Sequence, residues 1–154
     1  MGTRSLIGME QKNGTVKFTY CHWDGYIEHN GIILERYYND ENAVKELLNF
    51  GQISSLGANI GEKHAFNGIT GVITDTEIGK KLNKICTFYH RDRGDDMRKA
   101  ENVNSLTDYI EQMDVYGAEF AYVFSGGKWY YSTGKGFEIL SESVEELKKE
   151  AISA

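Results

Sequence analysis

The stretch Ser5-Leu6-Ile7-Gly8-Met9-Glu10-Gln11-Lys12-Asn13-Gly14-Thr15-Val16-Lys17-Phe18-Thr19-Tyr20-Cys21 reads as two strands and the turn that joins them. Asn13 and Gly14 both tolerate the positive φ that a tight hairpin demands. Val16, Phe18 and Tyr20 alternate with Lys17 and Thr19, which predicts one buried face on the second strand. Working outward, Gly117 to Phe124 and Lys128 to Thr133 form a second hairpin around Ser125-Gly126-Gly127. Leu82 to His90 reads as a further strand, with Ile85, Thr87 and Tyr89 opposed to Cys86 and Phe88.

Helices are expected between these strands. Gly31 to Tyr38 is a short one. Asp40 caps a second, from about Glu41 to Asn49, whose apolar stripe is Val44, Leu47 and Leu48 and whose exit is Gly51. Ser105 starts a third, with Asp108 at capping-box spacing and Leu106, Tyr109, Ile110 and Met113 facing inward. Ser143 starts the last, with Glu146 three residues on, and it runs to about Ala151. Ile53 to Gly57 reads as a tight turn. The glycine-rich stretch 57–81 reads as a long excursion with a short strand at Ile69 to Thr74. No linker or repeat divides the chain, so residues 1–154 are expected to form a single domain of α+β class. Its expected form is an antiparallel sheet of two hairpins plus a central strand, with helices packed on one side.

Composition bounds the function. The chain has 154 residues, 40% of them hydrophobic, which suffices for a real core. A formal charge of -6 argues against a basic face for duplex nucleic acid. It is also too mild a deficit for a mimic of DNA. Proline is absent, whereas average usage is about 5%. Ten tyrosines, seven phenylalanines and two tryptophans supply half-buried strand positions and stacking faces. No apolar run approaches a membrane span, and the first residues carry no secretory h-region. Cys21 and Cys86 are therefore expected as free thiols in a reducing cytosol.

Two polar-aromatic segments carry the candidate chemistry. Tyr20-Cys21-His22-Trp23-Asp24-Gly25-Tyr26-Ile27-Glu28-His29-Asn30 leaves a strand with stacking faces and hydrogen-bonding tips. Trp23 and Tyr26 suit nucleobases, with His22 and Asp24 beside them; the bland alternative is that both aromatics pin the loop to the core. Tyr89-His90-Arg91-Asp92-Arg93-Gly94-Asp95-Asp96 is expected to be a charged turn. Guanidinium forks match phosphates, so Arg91 and Arg93 are candidate clamps; the alternative is a turn neutralised by its own aspartates. His90-Arg91-Asp92 is no kinase loop, because Met97 stands where asparagine is required. Cys21, His22, Cys86 and His90 lack the paired spacing of a zinc site, and Ser54 and Ser55 lack a nucleophile elbow. Arg4, entering the first strand, reaches a ligand or caps the sheet edge.

The segments Thr3-Arg4-Ser5-Leu6-Ile7-Gly8, Cys21-His22-Trp23-Asp24-Gly25-Tyr26, Ile53-Ser54-Ser55-Leu56-Gly57 and Tyr89-His90-Arg91-Asp92-Arg93-Gly94 together resemble a widespread family of small phage and prophage proteins. That family is similar to viral sponge proteins that sequester cyclic nucleotide signals of bacterial antiphage immunity. The resemblance implies a noncatalytic binder acting in the host bacterial cytoplasm as a homodimer. It implies no cofactor, no metal and no catalytic residue. The implied ligand-binding set is Arg4, His22, Trp23, Tyr26, Ser54, Ser55, His90, Arg91 and Arg93. A phosphodiesterase with His22 or His90 as general acid or base is the alternative, and an inhibitor docking on a host defence protein is another.

Overall fold

The computed structural model describes residues 3–64 and 85–153. The expected strand at Ile69 to Thr74 and the first part of the strand read at Leu82 lie outside them. Strands β1 (Ser5–Glu10) and β2 (Val16–Cys21) form the first hairpin, with Leu6 opposite Tyr20 and Gly8 opposite Phe18. A π-helical turn at Ile27–Gly31 leads into α1 (Ile32–Tyr37) and α2 (Glu41–Leu48). Asp40 caps α2 by accepting a 2.8 Å hydrogen bond from the Ala43 amide. There follow β3 (Ile53–Ser55), β4 (Thr87–Phe88), α3 (Tyr89–Arg93) and β5 (Glu101–Val103). The chain then forms α4 (Leu106–Tyr116), β6 (Phe120–Ser125), β7 (Lys128–Ser132), β8 (Glu138–Ile139) and α5 (Leu140–Ser153).

The α+β class is the one observed, and both expected hairpins are present, β1–β2 and β6–β7. The sheet order is β4-β3-β2-β1-β6-β7-β8, with β5 also paired to β2. It is mixed rather than wholly antiparallel, because β3 runs parallel to β2 and β6 parallel to β1. The cause is the crossover connection, which returns a strand in the direction it left. Helices α1 and α2 carry the chain from β2 to β3, and α4 carries it from β5 to β6.

Those crossovers cover both faces of the central strands. On one face Ile7, Cys21, Ile53, Tyr122 and Trp129 pack with Leu34 of α1, Val44 and Leu47 of α2, and Leu140 and Val144 of α5. On the other, Leu6, Val16, Phe18 and Val123 pack with Tyr109 and Met113 of α4. The expectation of one buried face on β2 is thus corrected: Val16 and Phe18 are buried on one side, Thr19 and Cys21 on the other. Ser105 caps α4 as its spacing predicts, accepting from the Asp108 amide at 3.1 Å. The last helix begins at Leu140 rather than Ser143, since Leu140 is buried and the Ser143 hydroxyl bonds Tyr131 at 2.8 Å.

Candidate functional site

The residues Ile53 to Ser55 are a strand, not the expected tight turn, and this brings the two polar-aromatic segments together. Cys21 pairs with Ile53 at the end of β2. The chain beyond β2 keeps the pairing, as the His22 amide donates to Ile53 O and the Trp23 amide to Ser54 O, each at 3.0 Å. On the far side of β3, Ile53 pairs with Phe88. Tyr89 and His90 then open α3 rather than extending the strand. The helix forms there because Asp92 folds back and its Oδ2 accepts the Phe88 amide at 2.8 Å, satisfying a donor at the helix start. Tyr89 also shares a hydrogen bond with Ser54, whose residue is 5% exposed.

Between these elements lies a cleft of about 310 Å³ lined by Tyr20, Gln52, Tyr89, His90, Arg93, Asp95, Asp96 and Arg98. Tyr20 forms one wall. Its ring stacks on Tyr116 at 5.5 Å between centroids, and its hydroxyl shares a 2.7 Å hydrogen bond with His22 Nδ1. Burial raises the pKa of both Tyr20 and Tyr89, so each keeps its phenolic proton at neutral pH. The cations come from α3 and the segment after it. Arg93 rests 4.8 Å above the Tyr89 ring and forks onto Asp95, with Nε to Oδ1 at 2.9 Å and the terminal nitrogen to Oδ2 at 2.6 Å. His90 Nδ1 hydrogen-bonds Asp95 O at 2.7 Å.

Arg91 has a different role from the expected clamp. Its Nε meets Asp92 Oδ1 at 3.0 Å, and its terminal nitrogens donate to Ile60 O, Gly61 O and Cys86 O at 2.9 to 3.0 Å. Its guanidinium lies 4.7 Å from the Phe88 ring and 5.5 Å from that of Phe50. The side chain is 12% exposed and its donors are spent on protein, so it fastens α3 to the segment around Ile60. Burial pushes the Asp92 carboxyl upward. The hydrogen bond from Arg91 and the amides of Phe88 and His64 more than offset that, leaving its pKa below the ordinary value.

The loop after β2 sits beside the cleft rather than in it. Gly25 is its pivot: a Cβ there would stand 2.7 Å from Ser5 Cβ and 2.8 Å from Thr3 O. The Gly25 amide donates to Thr3 O, and the Tyr122 hydroxyl donates to Gly25 O at 2.6 Å. Anchored so, the loop leaves Trp23 42% and Tyr26 36% exposed. Trp23 meets the edge of His22 at 4.6 Å, while the Tyr26 hydroxyl donates to Asp24 Oδ1 at 3.1 Å. Desolvation, then the nearby Arg4, lowers the His22 pKa, so its imidazole is neutral at pH 7 and offers hydrogen bonds rather than charge.

Of the expected ligand-binding residues, His90 and Arg93 line the cleft. Arg4, His22, Trp23, Tyr26, Ser54, Ser55 and Arg91 do not line it; His22 and Ser54 reach it through their hydrogen bonds to Tyr20 and Tyr89, and Trp23 through its contact with His22. Tyr20, Tyr89, Asp95 and Asp96 also line the cleft; they belong to the same two segments, where the signal that could have singled them out is their place beside the tryptophan and the arginines. Gln52 and Arg98 had only a weak signal, the crowding of Arg98 near Arg91 and Arg93. The thiols lie in the core: burial pushes Cys21 up to about 12 and raises Cys86. Among the described residues, no cluster of three or more histidine, cysteine or acidic side chains is arranged to hold a metal. No helix among them is long and apolar enough to cross a membrane. Comparison with family models, curated proteins and solved structures finds no match to this chain.

Proposed function

We propose that the protein is a noncatalytic binder of a cyclic nucleotide, which it sequesters and so withdraws from host antiphage defence. The observation that carries this reading is the cleft itself. Two protonated tyrosines, Tyr20 and Tyr89, offer aromatic surface beside Arg93, Arg98 and the amide of Gln52. Base stacking on such rings contributes roughly 1–3 kcal/mol per base, and guanidinium forks suit phosphate oxygens. The cleft volume is at the low end for small-molecule sites, which run from about 300 to 1,000 Å³. A ligand with two bases therefore extends beyond it, toward exposed Trp23, which His22 links to the Tyr20 wall, or into a second copy of the chain. The second arrangement calls for a two-fold homodimer, the commonest form of assembly, and the proposed role has it work in the bacterial cytoplasm.

The test is to mix the protein with cyclic dinucleotides, cyclic trinucleotides and cyclic ADP-ribose variants, isolate it, and denature it. Recovery of intact nucleotide supports sequestration. A linear product indicates a phosphodiesterase with His22 or His90 as the acid or base. Absence of any bound nucleotide indicates a protein–protein inhibitor, a reading favoured by the exposure of Trp23, Tyr26 and Tyr37 at 42%, 36% and 53%. Light scattering that gives 17.4 kDa at micromolar concentration excludes the dimer.

A further inference from the structure

We propose that Asp95 is a built-in competitor for the anion site, its carboxylate holding the Arg93 fork that a ligand phosphate takes on binding. This rests on reading the cleft as an anion-binding site and names the residue that sets its affinity. The fork is already in the geometry that a phosphate uses, with two parallel hydrogen bonds to the two oxygens of one anionic group. Arg98 lines the same cleft and, with Arg93, draws the Asp95 pKa down. Asp95 therefore occupies the Arg93 fork that an anion in this cleft would take, with Arg98 on the same lining.

Two features make the exchange simple. First, the backbone that carries Asp95 is held independently of its carboxylate. Gly94 turns the chain with φ of 84°, its amide donates to His90 O, the Asp95 amide donates to Tyr89 O, and His90 Nδ1 bonds Asp95 O. The carboxylate leaves by side-chain rotation alone. Second, Arg93 lies 4.8 Å above the Tyr89 ring, a contact that does not depend on Asp95 and favours the same aim of the fork once the carboxylate has turned away. The adjacent pair shows the contrast. Arg91 and Asp92 are 12% and 0% exposed and locked, whereas Arg93 and Asp95 are 47% and 37% exposed.

Inorganic pyrophosphate, which has linked phosphoryl groups and no base, is the probe, titrated calorimetrically at low ionic strength. The variants are Asp95→Asn, Asp96→Asn and Asp95→Asn combined with Arg93→Ala; circular dichroism verifies that each is folded. Asp95→Asn is expected to bind about fivefold more tightly than the parent, the upper range for releasing an exposed pair. Asp96→Asn makes the same charge change without releasing Arg93 and gains less. The double variant loses the gain. The proposal is overturned if Asp95→Asn gains no more than Asp96→Asn, if the gain survives Arg93→Ala, or if no variant binds pyrophosphate. Failure of the nucleotide reading looks different: nucleotides do not bind, yet Asp95→Asn still tightens pyrophosphate. Nucleotides bound by the parent and less well by Asp95→Asn overturn the competitor alone.

Discussion

Replacing Arg91 with alanine is expected to destabilise the fold strongly, whereas the same change at Arg93 leaves it nearly unaltered. Arg91 is 88% withdrawn from solvent on the complement of its 12% side-chain exposure, and it satisfies the carbonyls of Ile60, Gly61 and Cys86 as well as Asp92. Truncation strands those acceptors, removes the stack on Phe88, and leaves a buried carboxylate without its cation. Breaking a buried pair in this way costs about 3–5 kcal/mol. The surviving amide donors of Phe88 and His64 still hold Asp92, which places the expected loss near the lower end, about 3 kcal/mol. For a chain of this length that lowers Tm by roughly 6–12 °C. Urea denaturation followed by tryptophan fluorescence measures it, and Trp129, buried in the larger core cluster, supplies the signal. Lysine at the same position keeps the charge but cannot span three carbonyls, so Arg91→Lys recovers less than half the loss. A loss below about 1 kcal/mol, the worth of an exposed pair, refutes the fastening role and returns Arg91 to the candidate clamps.

Other expectations follow from the same geometry. Asp92 has a folded pKa below its ordinary 3.8, so its contribution to stability is present above that value and is lost as pH falls through the folded pKa; acid titration of Asp92→Asn should lack this component. Gly25→Ala forces a Cβ against Ser5 and Thr3 and should cost about 1–3 kcal/mol, read by chemical denaturation, with the Trp23 loop loosened towards proteolysis. Cys21 and Cys86 should resist iodoacetamide in the native state and react once unfolded, because burial raises both thiols; rapid labelling of the folded protein at pH 8 contradicts their placement. Trp23→Ala should leave stability within about 0.5 kcal/mol, as an exposed substitution does, while lowering the affinity for any stacked nucleotide; unchanged binding removes Trp23 from the site.

What could be read from the sequence was what is decided locally. The hairpin at Asn13-Gly14, the Asp40 cap and the Ser105 cap each depend on residues within a few positions, and each is observed, although of the two turn residues Gly14 alone takes the positive φ. The segments that form the candidate site were identified, but not their juxtaposition. Ile53-Ser54-Ser55 carries turn-like residues and becomes a strand only through partners at Cys21 and Phe88, which no local pattern reveals. Tyr89 and His90 continued an apparent alternation from Ile85, and the helix that interrupts it depends on Asp92 reaching back to Phe88. Arg91 looked like Arg93 because both stand in one charged run. Their difference lies in carbonyls some thirty residues away and in two phenylalanine rings. The two-sided burial of β2 was likewise hidden, since nothing near Thr19 announces the helices α1 and α2 that cover it.

The position of β1 in the middle of the sheet has a consequence for synthesis. Its second neighbour, β6, pairs Phe120 with Ser5, so the two strands are separated by more than a hundred residues of chain. Ribosomes add about 5–20 residues each second, and for several seconds the newborn hairpin of β1 and β2 presents an unpaired apolar edge to the cell. A chain arranged in this way folds late rather than progressively, and pairings this distant are slow to form. The interval before β6 emerges is when a chaperone, or a second nascent copy, has access to the edge that β6 later closes.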